Sequence, residues 1–62
     1  MPKTDIVIKL TGSETVDGLV DTVEAKLNQQ YGFLAVAFRQ QLMWVHGDDE
    51  KIDLIRQFVT LE

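Results

Sequence analysis

The stretch FLAVAFRQQLMWVHG, from Phe33 to Gly47, constrains the fold more than any other part of the chain. A half-buried β-strand alternates apolar and polar residues, but this stretch is apolar at consecutive positions, so both faces of a strand would be apolar. We interpret it as two strands, Phe33 to Arg39 and Leu42 to His46, joined by a tight turn at Gln40-Gln41. The turn has none of the Asn-Gly or Asp-Gly chemistry that is typical of two-residue hairpins.

Amphipathic patterns predict one strand before this hairpin and a helix on each side of it. The segment from Asp5 to Leu10 alternates, with isoleucine and leucine on one face. A helix is expected from about Ser13 to Tyr31, and a second helix after the acidic start at Gly47 to Glu50, because apolar residues recur there with helical spacing. The two apolar stripes are Val16, Leu19, Val20, Val23 and Leu27 in the first helix, and Ile52, Ile55, Phe58 and Val59 in the second.

Capping residues predict where these elements end. Thr11 and Glu14 fit a capping box at the start of the first helix, although Ser13 is an equally good N-cap. Gly32 suits a left-handed position that ends this helix. The segment from Phe58 to Leu61 could stay helical or turn into a short strand, and we favour the helix because no glycine or proline interrupts it.

The predicted order of elements is β-α-β-β-α, within a single small domain of residues 1–62. A right-handed crossover and an antiparallel hairpin predict an α+β fold, a two-layer sandwich with an antiparallel three-stranded sheet and two helices on one face. The side of the sheet that faces the helices is expected to form the core, with Ile6, Ile8, Leu10, Leu34, Val36, Phe38, Met43 and Val45.

The opposite face of the predicted sheet is also apolar, and no helix remains to cover it. Uncovered apolar surface is typical of interaction sites, and Trp and Arg are enriched at interface hot spots. Alternatively, Trp44 lies across Ala35 and Ala37 and shields them from water. We predict a non-enzymatic protein–protein interaction module that binds a protein partner, a second copy in a homodimer above all, through this face. Its predicted interface residues are Val7, Phe33, Ala35, Ala37, Arg39, Leu42, Trp44 and His46.

Three segments resemble the ferredoxin-like heavy-metal-associated domains: IVIKL with the glycine-containing loop after it, VEAKL, and WVHGDDEKIDLIRQF. The resemblance implies a ferredoxin-like fold or a truncated relative of it. Metal transport is not carried over, because the family's metal loop has two cysteines where this chain has TGSETVDG. The family's fourth strand is also missing, which would leave the edge of Ile6 to Leu10 unpaired. An unpaired edge invites pairing with another chain, a second route to a dimer or a bound peptide.

Composition disfavours several classes of function. The chain has no cysteine and a single histidine, so neither a disulfide nor a zinc site is expected, and no metal or cofactor is predicted. A net charge of -4 with six scattered basic residues disfavours direct binding to nucleic acid. No apolar run is long enough to span a membrane and no signal peptide is recognised, so a cytoplasmic location is expected. A chain of 62 residues is marginally stable alone, which favours oligomerisation.

Four acidic residues recur at intervals of three and four along one flank of the predicted first helix: Glu14, Asp17, Asp21 and Glu24, here called the acidic strip. One interpretation is an acidic inhibitor that mimics nucleic-acid phosphates or binds a basic partner surface. The other is an ordinary solvated helix face, which charge stripes usually are.

Pro2 suggests an enzymatic alternative. If the initiator methionine is removed, Pro2 becomes an N-terminal secondary amine that could transfer protons. The chain length and the opening Pro-strand-Gly-helix pattern are similar to the small tautomerases of the 4-oxalocrotonate type. Those proteins have an arginine after the glycine, where this chain has Ser13, and their single second strand and C-terminal hairpin do not match the hairpin and helix predicted here. Our main interpretation assigns no catalytic residue.

Overall fold

The computed structural model describes residues 2–62. Three helices form most of the fold, and two short strands near the ends of the chain form a small sheet. In chain order the elements are strand β1 (Val7–Ile8), helix α1 (Val16–Gln30), helix α2 (Gly32–Leu42), helix α3 (Asp48–Phe58) and strand β2 (Thr60–Leu61). The two strands pair in parallel, with Val7 opposite Thr60 and Ile8 opposite Leu61. The chain therefore leaves the sheet after β1, passes through three helices and returns beside β1.

The predicted hairpin is wrong, because most of it forms α2. In α2 the buried residues are Ala35 and Phe38, flanked by the half-buried Leu34 and Leu42, and this is the spacing of a helix that packs on one side. Alanine and glutamine are good helix formers, and Gln40-Gln41 lacks the turn chemistry that a hairpin needs. The antiparallel three-stranded sheet with two helices on one face is therefore wrong, and so is the ferredoxin-like layout.

The C-terminal segment forms the second strand instead of continuing α3. Helix α3 ends at Phe58, and Val59 has an extended backbone with φ −138° and ψ 166°. The Thr60 and Glu62 N–H groups then donate to the carbonyls of Ile6 and Ile8, each at 2.9 Å. For residues 59–61 the predicted helical end is wrong, because pairing with β1 satisfies this backbone beside a buried core.

Helix α1 begins later than predicted, at Val16 with Thr15 as its N-cap. The Gly18 N–H donates to the Thr15 hydroxyl at 3.0 Å, and a Cβ on Gly18 would lie 3.1 Å from that oxygen, which gives a reason for a glycine inside the helix. The Thr11 N–H donates to the Glu14 carboxylate at 2.9 and 3.0 Å, so this half of the expected capping box forms ahead of the helix.

The glycine in a left-handed conformation is Gly12, with φ 92°, in the loop before α1. Gly32 was expected to end α1 in this way, and that expectation is wrong because its φ is not positive. Tyr31 serves both as the C-cap of α1 and as the N-cap of α2, so Gly32 is already the first residue of the next helix.

The core lies between the three helices and one face of the strand pair. The Phe38 and Phe58 rings meet edge to face at its centre, with centroids 5.3 Å apart and an interplanar angle of 76°. Val36, Met43 and Leu10, which were predicted to lie in the core, are instead exposed. The buried residues are Ile6, Ile8, Leu19, Val23, Leu27, Ala35, Phe38, Leu54, Ile55, Phe58 and Val59.

Candidate functional site

Helix α2 is held in place at both ends by backbone hydrogen bonds. At its start the Tyr31 carbonyl accepts from the N–H groups of Leu34 and Ala35, at 2.8 and 3.1 Å. After its end the Trp44 N–H donates to the Gln41 carbonyl at 3.0 Å, so the chain keeps a helix-like turn beyond Leu42. The position of Trp44 is therefore fixed by its backbone hydrogen bond to the last turn of α2.

Large apolar side chains lie exposed on the outer side of α2 and on the turn after it. Phe33, Val36 and Met43 are spaced by three and seven residues, which places them on one side of a helix. These residues are 87%, 56% and 75% exposed, and Trp44, which follows Met43, is 80% exposed. We call these four residues the apolar row.

The apolar row is large for a chain of this size. Phe33 and Trp44 expose about 350 Å² together, because an aromatic side chain offers about 150–250 Å² for burial. Val36 and Met43 add about 100 Å², which brings the row to about 450 Å², within the range of the largest patches on monomeric proteins, many of which are functional. A standard interface buries about 800 Å² per partner, about 56–65% of it apolar, so the row supplies most of the apolar area that one needs.

The row lies in a stretch with almost no charge. Between Lys26 and Asp48, Arg39 is the one residue that carries a formal charge at pH 7. Arg39 forms an ion pair through Nε with Oε1 of Glu24 on α1. This pair borders an open cavity of about 270 Å³ between α1 and α2, which Val36 also lines.

An acidic groove adjoins the row at Trp44. A shallow cavity of about 310 Å³ lies between the turn after α2 and helix α3, and its lining includes Trp44, Val45, Glu50, Asp53 and Leu54. One wall is therefore aromatic and aliphatic, and the other carries two carboxylates. A ligand group with an apolar stem and a cationic end fits such a groove, as the side chains of Lys and Arg do.

The structure brings together some of the predicted interface residues and separates others. Phe33 and Trp44 belong to the apolar row, and Ala35 is buried in the core. Ala37 and Leu42 are half-buried and pack against the core, Arg39 is exposed on α2, and His46 is exposed in the segment before α3. Val7, half exposed, lies on β1 and not next to Trp44 in a common sheet.

Val36 and Met43 are members of the row that the sequence interpretation missed. Both were assigned to the core face of a strand, because a two-residue period places Val36 with Phe38. In a helix Val36 and Phe38 lie on opposite sides. Positions 33, 36 and 43 are spaced by three and seven residues and share the outer side, while Ala35 and Phe38 lie on the inner side. This three-and-seven spacing was the signal that could have identified the row.

The acidic strip is partly engaged within the chain. Asp17 lies 3.4 Å from the Lys51 ammonium, and Glu24 pairs with Arg39. The side-chain hydrogen bond from Thr11 is the main cause that lowers the pKa of Glu14 below its ordinary value. Asp21 is exposed and lines the cavity between α1 and α2. The role of the strip as a nucleic-acid mimic stays a prediction.

Pro2 is exposed at the edge of a shallow cavity of about 350 Å³, which is also lined by Lys3, Asp53, Arg56 and Gln57. The Lys3 ammonium lies 4.6 Å from the centre of the Phe58 ring, so a cation–π contact holds this side chain near α3. Tautomerase activity through Pro2 stays a prediction, and Pro2→Ala is the variant that tests it.

Comparisons with known proteins give this chain no relative. No protein-family model, no curated protein and no solved structure matches it. Among residues 2–62, no helix is both long enough and apolar enough to cross a bilayer.

Proposed function

We propose that this chain is a small non-enzymatic protein-binding module, and that its apolar row binds an amphipathic helix of a partner protein. The observation that carries the proposal is the exposure of four large apolar residues on the outer side of α2 and the turn after it, three of them at least 75% exposed. Burying about 450 Å² of apolar surface is worth about 11 kcal/mol before the entropic costs of association, so a partner gains much by covering it.

The shape and charge of the surface favour a helical partner with basic residues. A helix laid along α2 would meet Phe33, Val36 and Met43 with its own apolar stripe, as amphipathic helices do when they bind a surface. A Lys or Arg of that helix would reach the acidic groove, where Glu50 and Asp53 lie beside Trp44. An acidic helix would meet repulsion there, so the groove selects partners by charge.

Trp44 provides the assay, because it is the only tryptophan of the chain. We would titrate the protein with a synthetic amphipathic helix of leucine and lysine, about 18 residues long so that it is helical when bound. The Trp44 emission should shift to the blue and saturate, and a matched leucine–glutamate peptide should bind far more weakly. The Phe33→Ser variant should lose about 30-fold in affinity, because an interface aromatic is worth about 2 kcal/mol.

Val7→Ser is the matched control, since Val7 is also an exposed apolar residue but lies on β1. This variant should bind the leucine–lysine peptide as the wild type does. Equal affinity of the wild type and Phe33→Ser, or equal binding of both peptides, would overturn the proposal. A wild-type dimer that Phe33→Ser makes monomeric would instead assign the row to self-association.

A further inference from the structure

The outer edge of β1 has backbone groups that the fold does not use. Ile6 and Ile8 offer their carbonyls to β2, and the Leu10 N–H donates to the Glu62 carbonyl at 2.7 Å. Backbone groups alternate in direction along a strand, so Asp5, Val7 and Lys9 point their N–H and C=O groups away from β2. Among residues 2–62, these groups take part in none of the turn, loop or cap hydrogen bonds, and the register that sets Val7 opposite Thr60 directs the bonds of the strand pair to Ile6 and Ile8.

The side chains along this edge are self-complementary. Val7 on β1 and the residues Asp5 and Lys9 that flank the strand are all exposed, and positions i, i+2 and i+4 of an extended chain share one face. If a second copy runs antiparallel with the two-fold axis at Val7, Asp5 lies opposite Lys9 of the second copy, and Lys9 lies opposite Asp5 of the second copy. Val7 then meets Val7 of the second copy, and each charge has a partner of opposite sign at cross-strand distance.

The same chemistry rejects other registers. A parallel copy in register would place Asp5 beside Asp5 and Lys9 beside Lys9, and like charges directly opposite each other are destabilising. If one copy shifts by one residue along the other, Val7 lies opposite Ile6 or Ile8 of the second copy. The side chains of these isoleucines point into the core, so the two strands no longer match in side-chain direction. The antiparallel pairing about Val7 is therefore the register that the residues select.

We propose that two copies of this chain pair edge to edge through β1, so that two small parallel sheets become one four-stranded sheet in the order β2–β1–β1–β2. The pairing adds up to about six backbone hydrogen bonds between chains, two at Val7 and two at each Asp5–Lys9 pair. A two-stranded sheet is small, and edge strands without protection are where other chains add. Closed two-fold symmetry stops the assembly at a dimer, because the pairing uses the same edge of both copies.

Sedimentation equilibrium over a micromolar concentration series tests the pairing with charge reversals. The wild type should dimerise with a dissociation constant on the order of 10–100 μM, because a pairing of single edges is smaller than a standard interface. Asp5→Lys and Lys9→Asp should each be monomeric over this range. Mixed in equal amounts they should form a heterodimer, because every cross-strand pair is then opposite in charge.

Two further variants keep the test decisive. Lys26→Asp makes the same charge change on the exposed face of α1 and should dimerise like the wild type. Val7→Pro removes the central outward N–H without removing a hydrogen bond to β2, and it should abolish the dimer while far-UV circular dichroism stays helical. A wild-type monomer throughout, or charge variants that dimerise alone, would overturn the pairing. Phe33→Ser should leave the dimer intact, so this proposal and the binding of a helix at the row can fail separately.

Discussion

Phe38 and Phe33 lie five residues apart on α2, and the same substitution should destabilise the protein strongly at Phe38 and hardly at all at Phe33. Phe38 is fully buried and meets Phe58 edge to face, whereas Phe33 is 87% exposed. Phe38→Ala should cost about 3–5 kcal/mol of unfolding free energy, the usual cost of an emptied phenylalanine site. Phe33→Ala should change it by no more than about 0.5 kcal/mol, because most of the surface of Phe33 is already in water.

The size of the chain makes this difference visible. A stability of about 0.05–0.15 kcal/mol per residue gives a domain of 62 residues about 3–9 kcal/mol in total, so Phe38→Ala removes much or all of it. Phe38→Leu is the milder variant and should cost no more than about 1.5 kcal/mol, which keeps the protein folded and the loss measurable.

Urea denaturation followed by far-UV circular dichroism measures these free energies. The midpoint should fall for Phe38→Leu and stay near the wild-type value for Phe33→Ala, with equal slopes. Phe38→Ala should be partly or wholly unfolded without denaturant. A loss at Phe33 equal to that at Phe38, or a cost below about 1 kcal/mol for Phe38→Ala, would refute the assignment of α2's inner and outer sides.

Three further predictions address local structure. Val36→Ala should stabilise the protein by about 0.5 kcal/mol in urea denaturation, because alanine is the better helix former at an exposed helical position, whereas the cavity left in a hairpin core would destabilise it. The hydrogen bond from Thr11 depresses the folded-state pKa of Glu14, so its stabilising effect is present above the ordinary pKa of 4.5 and is lost as the pH falls through the folded value. The stability difference between wild type and Glu14→Gln should therefore be largest near neutral pH and vanish in acid, and a difference that grows on acidification would contradict this. Tyr31, the only tyrosine, donates to the Asp5 carboxylate at 2.9 Å, and this bond raises its pKa above 10.0. Ultraviolet titration of Asp5→Asn should show the Tyr31 pKa moving down, and an unchanged pKa would rule out Asp5 as the cause.

The acidic groove and the edge of β1 show how far the sequence alone could locate a functional surface. The charge-free stretch from Leu27 to Gly47, interrupted by Arg39, was visible in the sequence, and so were the aromatic residues at its ends. The groove beside Trp44 was not visible, because Glu50 and Asp53 reach it through the packing of α3 against the turn after α2. An unpaired strand edge was expected for Ile6 to Leu10, but which of its residues point outward depends on the pairing with β2.

The sequence by itself determined the two amphipathic helices α1 and α3 and the strand at the start, because their apolar residues recur with one period only. Leu19, Val23 and Leu27, and likewise Ile55 and Phe58, are buried as that spacing predicts. The segment from Phe33 to His46 is apolar at two periods at once, so local pattern could not choose between hairpin and helix. Tertiary packing decided for the helix, because it buries Ala35 and Phe38 against Phe58 and leaves Phe33 and Val36 outside. The strand at Thr60–Leu61 was likewise decided by a partner more than fifty residues away in the chain, and no local signal records such a contact.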